Sequence, residues 1–544
     1  MGKWHLSMDK KQLRITYPFL RRCAFVYISL PLFCFFIFWI KWYFAVLACS
    51  ALIVCLLAAE ENGILKRLIN KGAKTDRAEK SIVISKMALA AVILISLVYL
   101  ILCGIGRLWA QSSDYPWRNA IFRDLIVRDW PVYYDKFKGA LSYYIGMWLP
   151  AAAPAKLVYL ISKNTETAFT VGNILLLIYF TIGLCILFLL LFMYFRTVNT
   201  KQILLVVIGL IFFSGMDVLG FNYLPGIYHL EWWAVFFQYS SLTTCMCWVF
   251  NQTLVPWICT ILLLQEEDIS NYVFIGMACL FTGPFPFVGL FIYCITNGIV
   301  RGVKLIRAKE TSGLVKEALS ISNICAALII FPIIGSYLLS NSLMGQQSVE
   351  SGISSGIAAW NQQKVTYYIR FVIIEFGAFA GLIAKANKKN SLFYVTVLQL
   401  FIYPFINLGV NSDFTMRASI PALFMMYVFC YEYLLTEKVK VPVSAETKTD
   451  DPKKSKNVTS INLFYVILVV MLVIGAVTPG MELYRGCYQV RLRGINDPAT
   501  DSIITLNHEE YPLNPESPWP PTNFVSVDYE NTVFFKYFAR KQEK

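Results

Sequence analysis

One stretch of the chain interleaves carboxylate and guanidinium side chains at helical spacing. Its charged members are Asp114, Arg118, Arg123, Asp124, Arg128 and Asp129. A carboxylate accepts a proton from an attacking hydroxyl group, and arginine binds a phosphate through two parallel hydrogen bonds. This order indicates acid-base chemistry on a membrane-bound phosphate, led by Asp114. The alternative is an interfacial anchor in which Asp114 only caps the helix that begins near Pro116.

The spacing in this stretch predicts an amphipathic helix. Trp117, Ile121 and Leu125 share one face at helical spacing, and Arg118 and Asp124 lie around the other. A helix of this kind lies in the membrane interface, with its apolar face down and its arginines at the depth of the lipid phosphates.

A second polar stretch contains a histidine and two carboxylates within a short distance along the chain. The candidates are Asp217, His229, Glu231, Trp232 and Gln238. A charge at the outer end of a membrane helix is costly and therefore often functional, and histidine with glutamate can move a proton. The exposed aromatic rings suit a sugar, but they also suit the aromatic belt of a membrane protein.

A third polar stretch lies between two apolar segments and contains Asp413 and Arg417. Residues four apart pair across one helical turn, and Arg417 could equally bind the phosphate of a lipid-linked substrate. Glu375 is a further charge inside an apolar segment, and we expect it to pair with a neighbouring helix and not to take part in a reaction.

The elements that must position these residues are membrane helices. Of the 544 residues, 57% are hydrophobic and only 15% are charged, whereas an ordinary soluble domain is about 25% charged. This composition excludes a soluble enzyme, a nucleic-acid-binding protein and a disordered protein. The net charge of +14 is typical of cytoplasmic loops rich in lysine and arginine.

Apolar runs long enough, or nearly long enough, to cross a bilayer predict an all-α polytopic membrane protein of about thirteen transmembrane helices. The runs cover 23–40, 43–59, 86–106, 169–195, 202–218, three short passes in 252–300, 319–340, 366–386, 391–409, 418–436 and 460–479. Basic loops at 60–86, 301–316, 385–390 and 437–457 place the N-terminus in the cytoplasm and the C-terminus outside.

The resulting organisation has five parts. They are a cytoplasmic N-terminus (1–22), three transmembrane helices (23–106), a first outer loop (107–168), the remaining bundle with an outer loop at 219–251 (169–479) and a small extracytoplasmic tail (480–544). Segment 141–162 contains Pro150 and Pro154. We expect it to be re-entrant or interfacial, because a full crossing would put 219–251 in the cytoplasm.

The first outer loop resembles that of the GT-C superfamily of membrane glycosyltransferases, which includes protein O-mannosyltransferases and lipid A aminoarabinose transferases. The resemblance is carried by Asp114, by Trp117-Arg118-Asn119-Ala120, by Asp129-Trp130-Pro131 and by Ser142-Tyr143-Tyr144. Runs 229–233, 238–241, 248–252 and 413–417 look like a subgroup of bacterial membrane proteins with the same layout. The chain departs from the family in having two apolar segments before the helix that feeds this loop, and a single Asp114 where many relatives have an Asp-Glu pair.

The resemblance implies a polyprenyl-phosphate sugar donor and a glycan, lipid or protein acceptor outside the bacterial cytoplasmic membrane. Asp114 would be the base, with Asp124, Glu231 and His229 as alternatives. The substrate contacts would come from Arg118, Arg123, Asp217, Trp232, Gln238, Asp413 and Arg417. The resemblance implies that no nucleotide is needed and establishes no cofactor, and a divalent cation held by carboxylates outside the membrane stays open. The rival functions are a polysaccharide polymerase or ligase, and a flippase for lipid-linked glycans.

Overall fold

The structure is a computed structural model, and its side chains and backbone are described here for most of the chain. The described residues are 8–9, 11–59, 80–134, 138–197, 199–221, 229–341, 356–357, 360–408, 412–436, 462–494, 505–506 and 524–541. Residues 60–79 of the predicted loop 60–86, and the whole predicted loop 437–457, fall outside these ranges.

Long runs of leucine, isoleucine, phenylalanine and valine make the described chain almost entirely helical. The α-helices before the middle of the chain are α1 (Tyr17–Trp39), α2 (Trp42–Ala58), α3 (Lys86–Leu102), α4 (Tyr115–Val127), α5 (Leu149–Ser162), α6 (Thr165–Phe195), α7 (Thr200–Phe212), α8 (Leu242–Trp248), α9 (Leu254–Gln265) and α10 (Tyr272–Thr282). Those that follow are α11 (Pro284–Arg307), α12 (Thr311–Ala318), α13 (Ile321–Cys325), α14 (Phe331–Leu339), α15 (Gln362–Val372), α16 (Ala378–Ile383), α17 (Ser391–Ile402), α18 (Asp413–Ala418), α19 (Ile420–Thr436), α20 (Leu463–Gly475) and α21 (Val477–Arg493). Turns of π-helix at Ala326–Ile330 and Ile373–Gly377 join α13 to α14 and α15 to α16.

The described part of the chain is an all-α polytopic membrane protein. Seven helices are long and apolar enough to cross a bilayer, or eight if a pair bent by 115° counts as one span, and further apolar helices of 10–17 residues pack beside them. Large apolar side chains remain exposed on the outside of the bundle, among them Leu328 at 72% and Leu339 at 70%. Such a surface is suited to lipid and not to water. The count of thirteen spans remains a prediction.

The segment that was expected to make three short passes contains two short helices and one long one. α9 and α10 have 12 and 11 residues, and α11 has 24. α9 is preceded by α8, and the chain bends by 115° between them. This bend places a turn of backbone inside the bundle.

Segment 141–162 forms only one short helix, α5, which has 14 residues. α5 is one of several apolar helices of 10–17 residues, and it packs against α4 and against α6. The re-entrant or interfacial placement of this segment remains a prediction.

The end of the bundle that the sequence assigns to the cytoplasm is tied together by polar contacts. Strands β1 (Met8–Asp9), β2 (Gln12–Thr16) and β3 (Ser81–Ser85) form an antiparallel sheet that continues into α1 and α3. Arg21 binds both carboxylate oxygens of Glu266 at 2.5 Å. Both side chains are buried, so this ion pair joins the start of α1 to the end of α9.

At the opposite end, the C-terminal segment packs back onto the first outer loop. Strands β6 (Gly356–Ile357) and β7 (Ile406–Asn407) pair with each other. Strand β8 (Val525–Ser526) pairs with β5 (Gly139–Leu141), which pairs with β4 (Tyr133–Tyr134). Ala539 forms a bridge with Ile40 at the end of α1, and the Phe534 ring lies 5.7 Å from that of Phe35. The described part of the tail is therefore an integral layer of this end of the protein and not a separate appendage.

The amphipathic helix predicted after Asp114 is present as α4, and its interfacial placement remains a prediction. None of its residues is exposed. Arg118 and Asp124 on its polar face are buried, because the returning C-terminal residues and the loop at 139–148 cover that face. Its guanidinium groups are therefore enclosed by protein.

Candidate functional site

The first charged pair of the site lies at the start of α4. Asp114 occupies the N-cap position, but its side chain does not cap the helix. It instead accepts a hydrogen bond from Arg118 Nη2 at 3.0 Å. The Asp114 side chain is 48% exposed and the Arg118 side chain 9%, so the carboxylate stays accessible while the guanidinium is enclosed, with the Phe250 ring centroid 5.6 Å from its Cζ.

The second charged pair lies on α18, a helix of six residues that leads directly into α19. Asp413 and Arg417 pair across one turn at 3.1 Å, as their spacing predicts. Arg417 also donates to the hydroxyl group of Tyr144 at 3.4 Å. Tyr144 lies in the loop between β5 and α5. α18 and the first outer loop therefore meet in space although they are far apart in the chain.

Two tyrosines join the two charged pairs. The Tyr143 hydroxyl donates to the Tyr144 hydroxyl at 2.5 Å. Burial raises the pKa of Tyr143, the neighbouring Tyr144 raises it further, and Arg417 and Arg118 oppose this. Both arginines therefore act electrostatically on the same tyrosine. We call Asp114, Arg118, Tyr143, Tyr144, Asp413 and Arg417 the paired-arginine site.

The carboxyl groups of the paired-arginine site also influence one another. Burial raises the pKa of Asp413, Arg417 lowers it, Asp114 raises it and Arg118 lowers it. A carboxyl group in this position can accept a proton more readily than an ordinary surface aspartate, because its neutral form is favoured. The site thus combines proton acceptors with fixed cations.

Each arginine of the site keeps a donor that it does not use within the described residues. Arg118 Nη1 and Arg417 Nε are buried and have no hydrogen-bond partner there. Buried polar groups in proteins normally have partners, and an arginine N–H is a strong donor toward phosphate oxygens. The two unused donors therefore suit an anionic ligand that enters between α4 and α18.

Asp124 and Arg123 lie elsewhere and have structural partners. Asp124 is fully buried and accepts from Arg123 at 2.8 Å, from Tyr134 at 3.1 Å, from Thr505 at 2.9 Å and from the Leu506 amide at 3.0 Å. These contacts explain how the Asp124 carboxylate can be buried, since buried charges in proteins are paired and hydrogen-bonded. We therefore assign Asp124 and Arg123 a structural role and leave them outside the paired-arginine site.

His229 and Trp232 belong to a second cluster, beside the middle of α21. Arg485 donates to His229 at 2.7 Å, and Trp248 donates to Glu482 at 2.7 Å, which is ion-paired with Arg485. Burial lowers the pKa of His229 to about 3, and Arg485 contributes to the shift. His229 is therefore neutral at physiological pH. Trp232 stacks on it at 4.6 Å and remains 59% exposed.

Asp217, Glu231 and Gln238 form a third group together with Glu375. Glu231 accepts from the Ser241 amide at 2.9 Å and from Gln238 at 3.1 Å. Burial, and then the nearby Asp217 carboxylate, raises its pKa to about 8.

Asp217 in this third group accepts from Ser214 at 3.0 Å and from Thr478 at 2.7 Å. Glu375 does pair with a neighbouring segment, since Trp233 donates to it at 2.9 Å. The group thus links the end of α7, the π-helical turn between α15 and α16, and α21 to the outer loop.

Of the residues that the sequence indicates, Asp114, Arg118, Asp413 and Arg417 therefore lie close enough to influence one another's charge. Tyr143 and Tyr144 carry part of the resemblance, and their place at the start of the apolar segment 141–162 is the only signal that the sequence offers for a role. Glu482 and Arg485 were missed because they lie beyond the last predicted span. Within the described ranges, no group of three or more histidine, cysteine or acidic side chains has the arrangement of a metal site.

Comparison with known proteins adds no assignment, because neither family models, nor curated proteins, nor solved structures give a match to this chain.

Proposed function

We propose that this protein is a membrane glycosyltransferase of the GT-C type, which transfers a sugar from a polyprenyl-phosphate donor to an acceptor outside the membrane. The observation that carries the proposal is that Asp114–Arg118 and Asp413–Arg417 act electrostatically on one another and on Tyr143, at the end of the bundle that the sequence assigns to the outside. Phosphate binding by paired arginines beside an accessible carboxylate is the chemistry that such a transfer needs.

The reaction that fits this arrangement is a single displacement at the anomeric carbon. The acceptor hydroxyl attacks that carbon as Asp114, half exposed beside Arg118, takes the hydroxyl proton. The new carbon–oxygen bond forms as the bond to the lipid phosphate breaks, so the configuration inverts. The bonding electrons leave on the phosphate, whose charge Arg118 and Arg417 would stabilise through their unused N–H groups.

The magnitudes expected for these roles are large. Loss of one fixed donor to a developing anion costs about 10²–10³-fold in rate, and loss of a positioned base costs about 10²–10⁴-fold. We therefore expect Asp114→Asn, Arg118→Lys and Arg417→Lys each to reduce transfer by at least about 100-fold while the purified variants keep the thermal stability of the wild type.

The test uses purified full-length protein in lipid nanodiscs with a panel of polyprenyl-phosphate sugars and glycan acceptors, and measures the release of polyprenyl phosphate. Asp129→Asn is the matched control, because Asp129 lies on the same loop but its side chain is 84% exposed. Arg370→Lys is the arginine control, since Arg370 is exposed and donates to Gly220 at 3.2 Å. Full activity of Asp114→Asn would exclude it as the base.

The same assay distinguishes the rival functions. A polymerase or ligase would release the lipid carrier only from a donor that bears an oligosaccharide. A flippase would move the lipid across the bilayer with every sugar–phosphate bond intact. If purified protein releases the lipid carrier only from oligosaccharide donors, or moves the lipid without cleaving a bond, the proposed transfer of a single sugar is contradicted.

A further inference from the structure

The turn between α8 and α9 is a break between two apolar helices, and it is stabilised by its own hydrogen bonds. Ser241 caps α8 by accepting from the Thr244 amide at 2.9 Å. The Thr253 hydroxyl donates to the carbonyl oxygens of Val249 at 2.9 Å and of Cys245 at 3.0 Å. The broken backbone therefore does not require the side chains of Asn251 and Gln252, which lie within the turn.

These two amide side chains have unused hydrogen-bonding groups. Asn251 and Gln252 are each 1% exposed. Within the described residues, neither Nδ2 nor Oδ1 of Asn251 has a partner, and neither does Oε1 of Gln252. Asn173, in contrast, is a buried asparagine that donates to Phe169 at 2.9 Å. Buried amides without partners indicate a ligand or ordered water.

The break adjoins Arg118 on one side. The ring of Phe250, immediately before Asn251, lies 5.6 Å from the Arg118 guanidinium carbon and 5.7 Å from the ring of Trp148. Trp148 ends the loop that contains Tyr143 and Tyr144. The first half of the paired-arginine site therefore borders the break.

The break adjoins α18 on the other side, through the turn that begins α11. A methyl group on Gly283 would lie 3.3 Å from the Gln252 Cβ, which shows how closely the two backbones approach. Two residues later, Phe285 stacks edge-on against Phe414 of α18 at 5.6 Å. The break is thus bracketed by the elements that carry Arg118 and Arg417.

We propose that Asn251 and Gln252 bind the hydroxyl groups of the sugar that the lipid phosphate carries, next to the phosphate held by Arg118 and Arg417. The inference rests on the proposed function and deepens it, because it names the part of the substrate that is recognised. An amide offers two donors and an acceptor, which match a neutral polyhydroxylated ring. Sites that hydrogen-bond a substrate hydroxyl discriminate strongly against analogues that lack it.

The test is equilibrium binding to full-length protein in nanodiscs. The probes are bare polyprenyl monophosphate and a panel of polyprenyl-phosphate hexoses and amino sugars. For the wild type we expect at least one sugar-bearing probe to bind about tenfold more tightly than the bare lipid phosphate. We call this ratio of the two Kd values the margin. Asn251→Ala and Gln252→Ala are expected to remove this margin while the Kd for the bare lipid phosphate stays within about twofold.

Two further variants separate recognition from folding. Asn173→Ala removes a buried asparagine that has a partner, and it should keep the tenfold margin. Asn251→Leu places an apolar side chain where the amide had no protein partner, so it should keep or raise the Tm of the unliganded protein while the margin is lost. A structural role for Asn251 predicts a lower Tm.

Three results overturn the inference while the proposed function stands: the margin survives in both alanine variants, no sugar-bearing probe shows a margin, or the variants lose affinity equally for bare and sugar-bearing lipid. Failure of the wild type to bind any lipid phosphate would overturn the proposed function itself.

Discussion

At the scale of single residues, Asp124 is a carboxylate whose removal should affect folding and not chemistry. It is fully buried and hydrogen-bonded to Arg123, Tyr134, Thr505 and the Leu506 amide. Removing one partner of a buried ion pair costs about 3–5 kcal/mol. We expect Asp124→Asn to reduce the free energy of unfolding by an amount in that range, as measured by denaturant titration in detergent.

Asp129→Asn on the same loop is the control, and it should change the free energy of unfolding by less than about 0.5 kcal/mol, as is usual for surface substitutions. If Asp124→Asn proved as stable as the wild type and yet inactive, Asp124 would return as a candidate for the base.

Glu231 should make the protein less stable as the pH rises through neutrality. Its pKa is raised from 4.5 to about 8 in the folded protein. The folded state therefore keeps a proton that the unfolded chain has lost, and stability falls with rising pH between these two values. We expect the apparent Tm of the wild type to fall more steeply than that of Glu231→Gln from pH 6.5 to 8.

This pH range is chosen because His229 acts in the opposite direction at lower pH. Its pKa is lowered from 6.5 to about 3, so the unfolded chain binds a proton that the folded state does not, and stability falls as the pH decreases below 6.5. Glu166→Gln, at an exposed position in the first turn of α6, should keep the wild-type slope. Identical slopes for wild type and Glu231→Gln would contradict the prediction.

The spacing of residues predicted contacts within one helical turn, but it could not predict contacts between segments that are far apart in the chain. Asp413 and Arg417 are four apart, and their ion pair follows from helical geometry alone. The contact of Arg417 with Tyr144 joins residues 273 positions apart, and it depends on the packing of α18 against the first outer loop. That the Asn251 amide finds no hydrogen-bond partner among the described residues could not be predicted from the sequence either, because it depends on every neighbouring segment.

At the scale of elements, Gly289 keeps α11 close to the end of α18. A methyl group at this position would overlap the carbonyl oxygen of Ala418, which is backbone and cannot turn away. Gly289→Ala should therefore displace α18 and move Arg417 relative to Tyr144. We expect a lower Tm and at least a tenfold loss of lipid-phosphate binding in the nanodisc assay.

Gly298 on the same helix is the matched control, because nothing lies within 4 Å of a methyl group placed there. Alanine is favoured over glycine inside a helix by about 1 kcal/mol, so Gly298→Ala should be as stable as the wild type or slightly more stable. Equal behaviour of the two variants would show that the close contact at Gly289 does not position α18.

Among the elements, the sequence predicted the existence of α4 better than its surroundings. Pro116 and the spacing of Trp117, Ile121 and Leu125 indicated a helix, and a helix begins at Tyr115. Its burial follows from β8 and from Leu506, which approach from the far end of the chain. Periodicity reports which residues share a face and carries no information on what covers it.

At the scale of the whole molecule, the two ends of the bundle should face opposite sides of the membrane. Cys487 on α21 is exposed, and the other 13 cysteines are buried or partly buried. The arrangement of basic loops places Cys487 outside. We expect a membrane-impermeant maleimide to label the wild type in intact cells and to leave Cys487→Ser unlabelled, with the extent of labelling read by mass spectrometry.

Lys309→Cys in the Cys487→Ser background tests the other end. Lys309 is exposed in the turn between α11 and α12, within a loop that the basic residues assign to the cytoplasm. This variant should react only after the membrane is permeabilised. Labelling of Lys309→Cys in intact cells would reverse the orientation and, with it, the placement of the paired-arginine site.

The hydrogen bonds from Thr505 and Leu506 to Asp124 also fix the order in which this protein can mature. Thr505 is synthesised 381 residues after Asp124, which at ribosomal speeds is roughly 20 to 80 seconds later. During that interval the Asp124 carboxylate on α4 lacks the hydrogen bonds from Thr505 and Leu506. A nascent chain that stalls or is cut before residue 505 therefore retains an under-bonded charge in its first loop, and quality-control proteases can recognise it however well its helices are inserted.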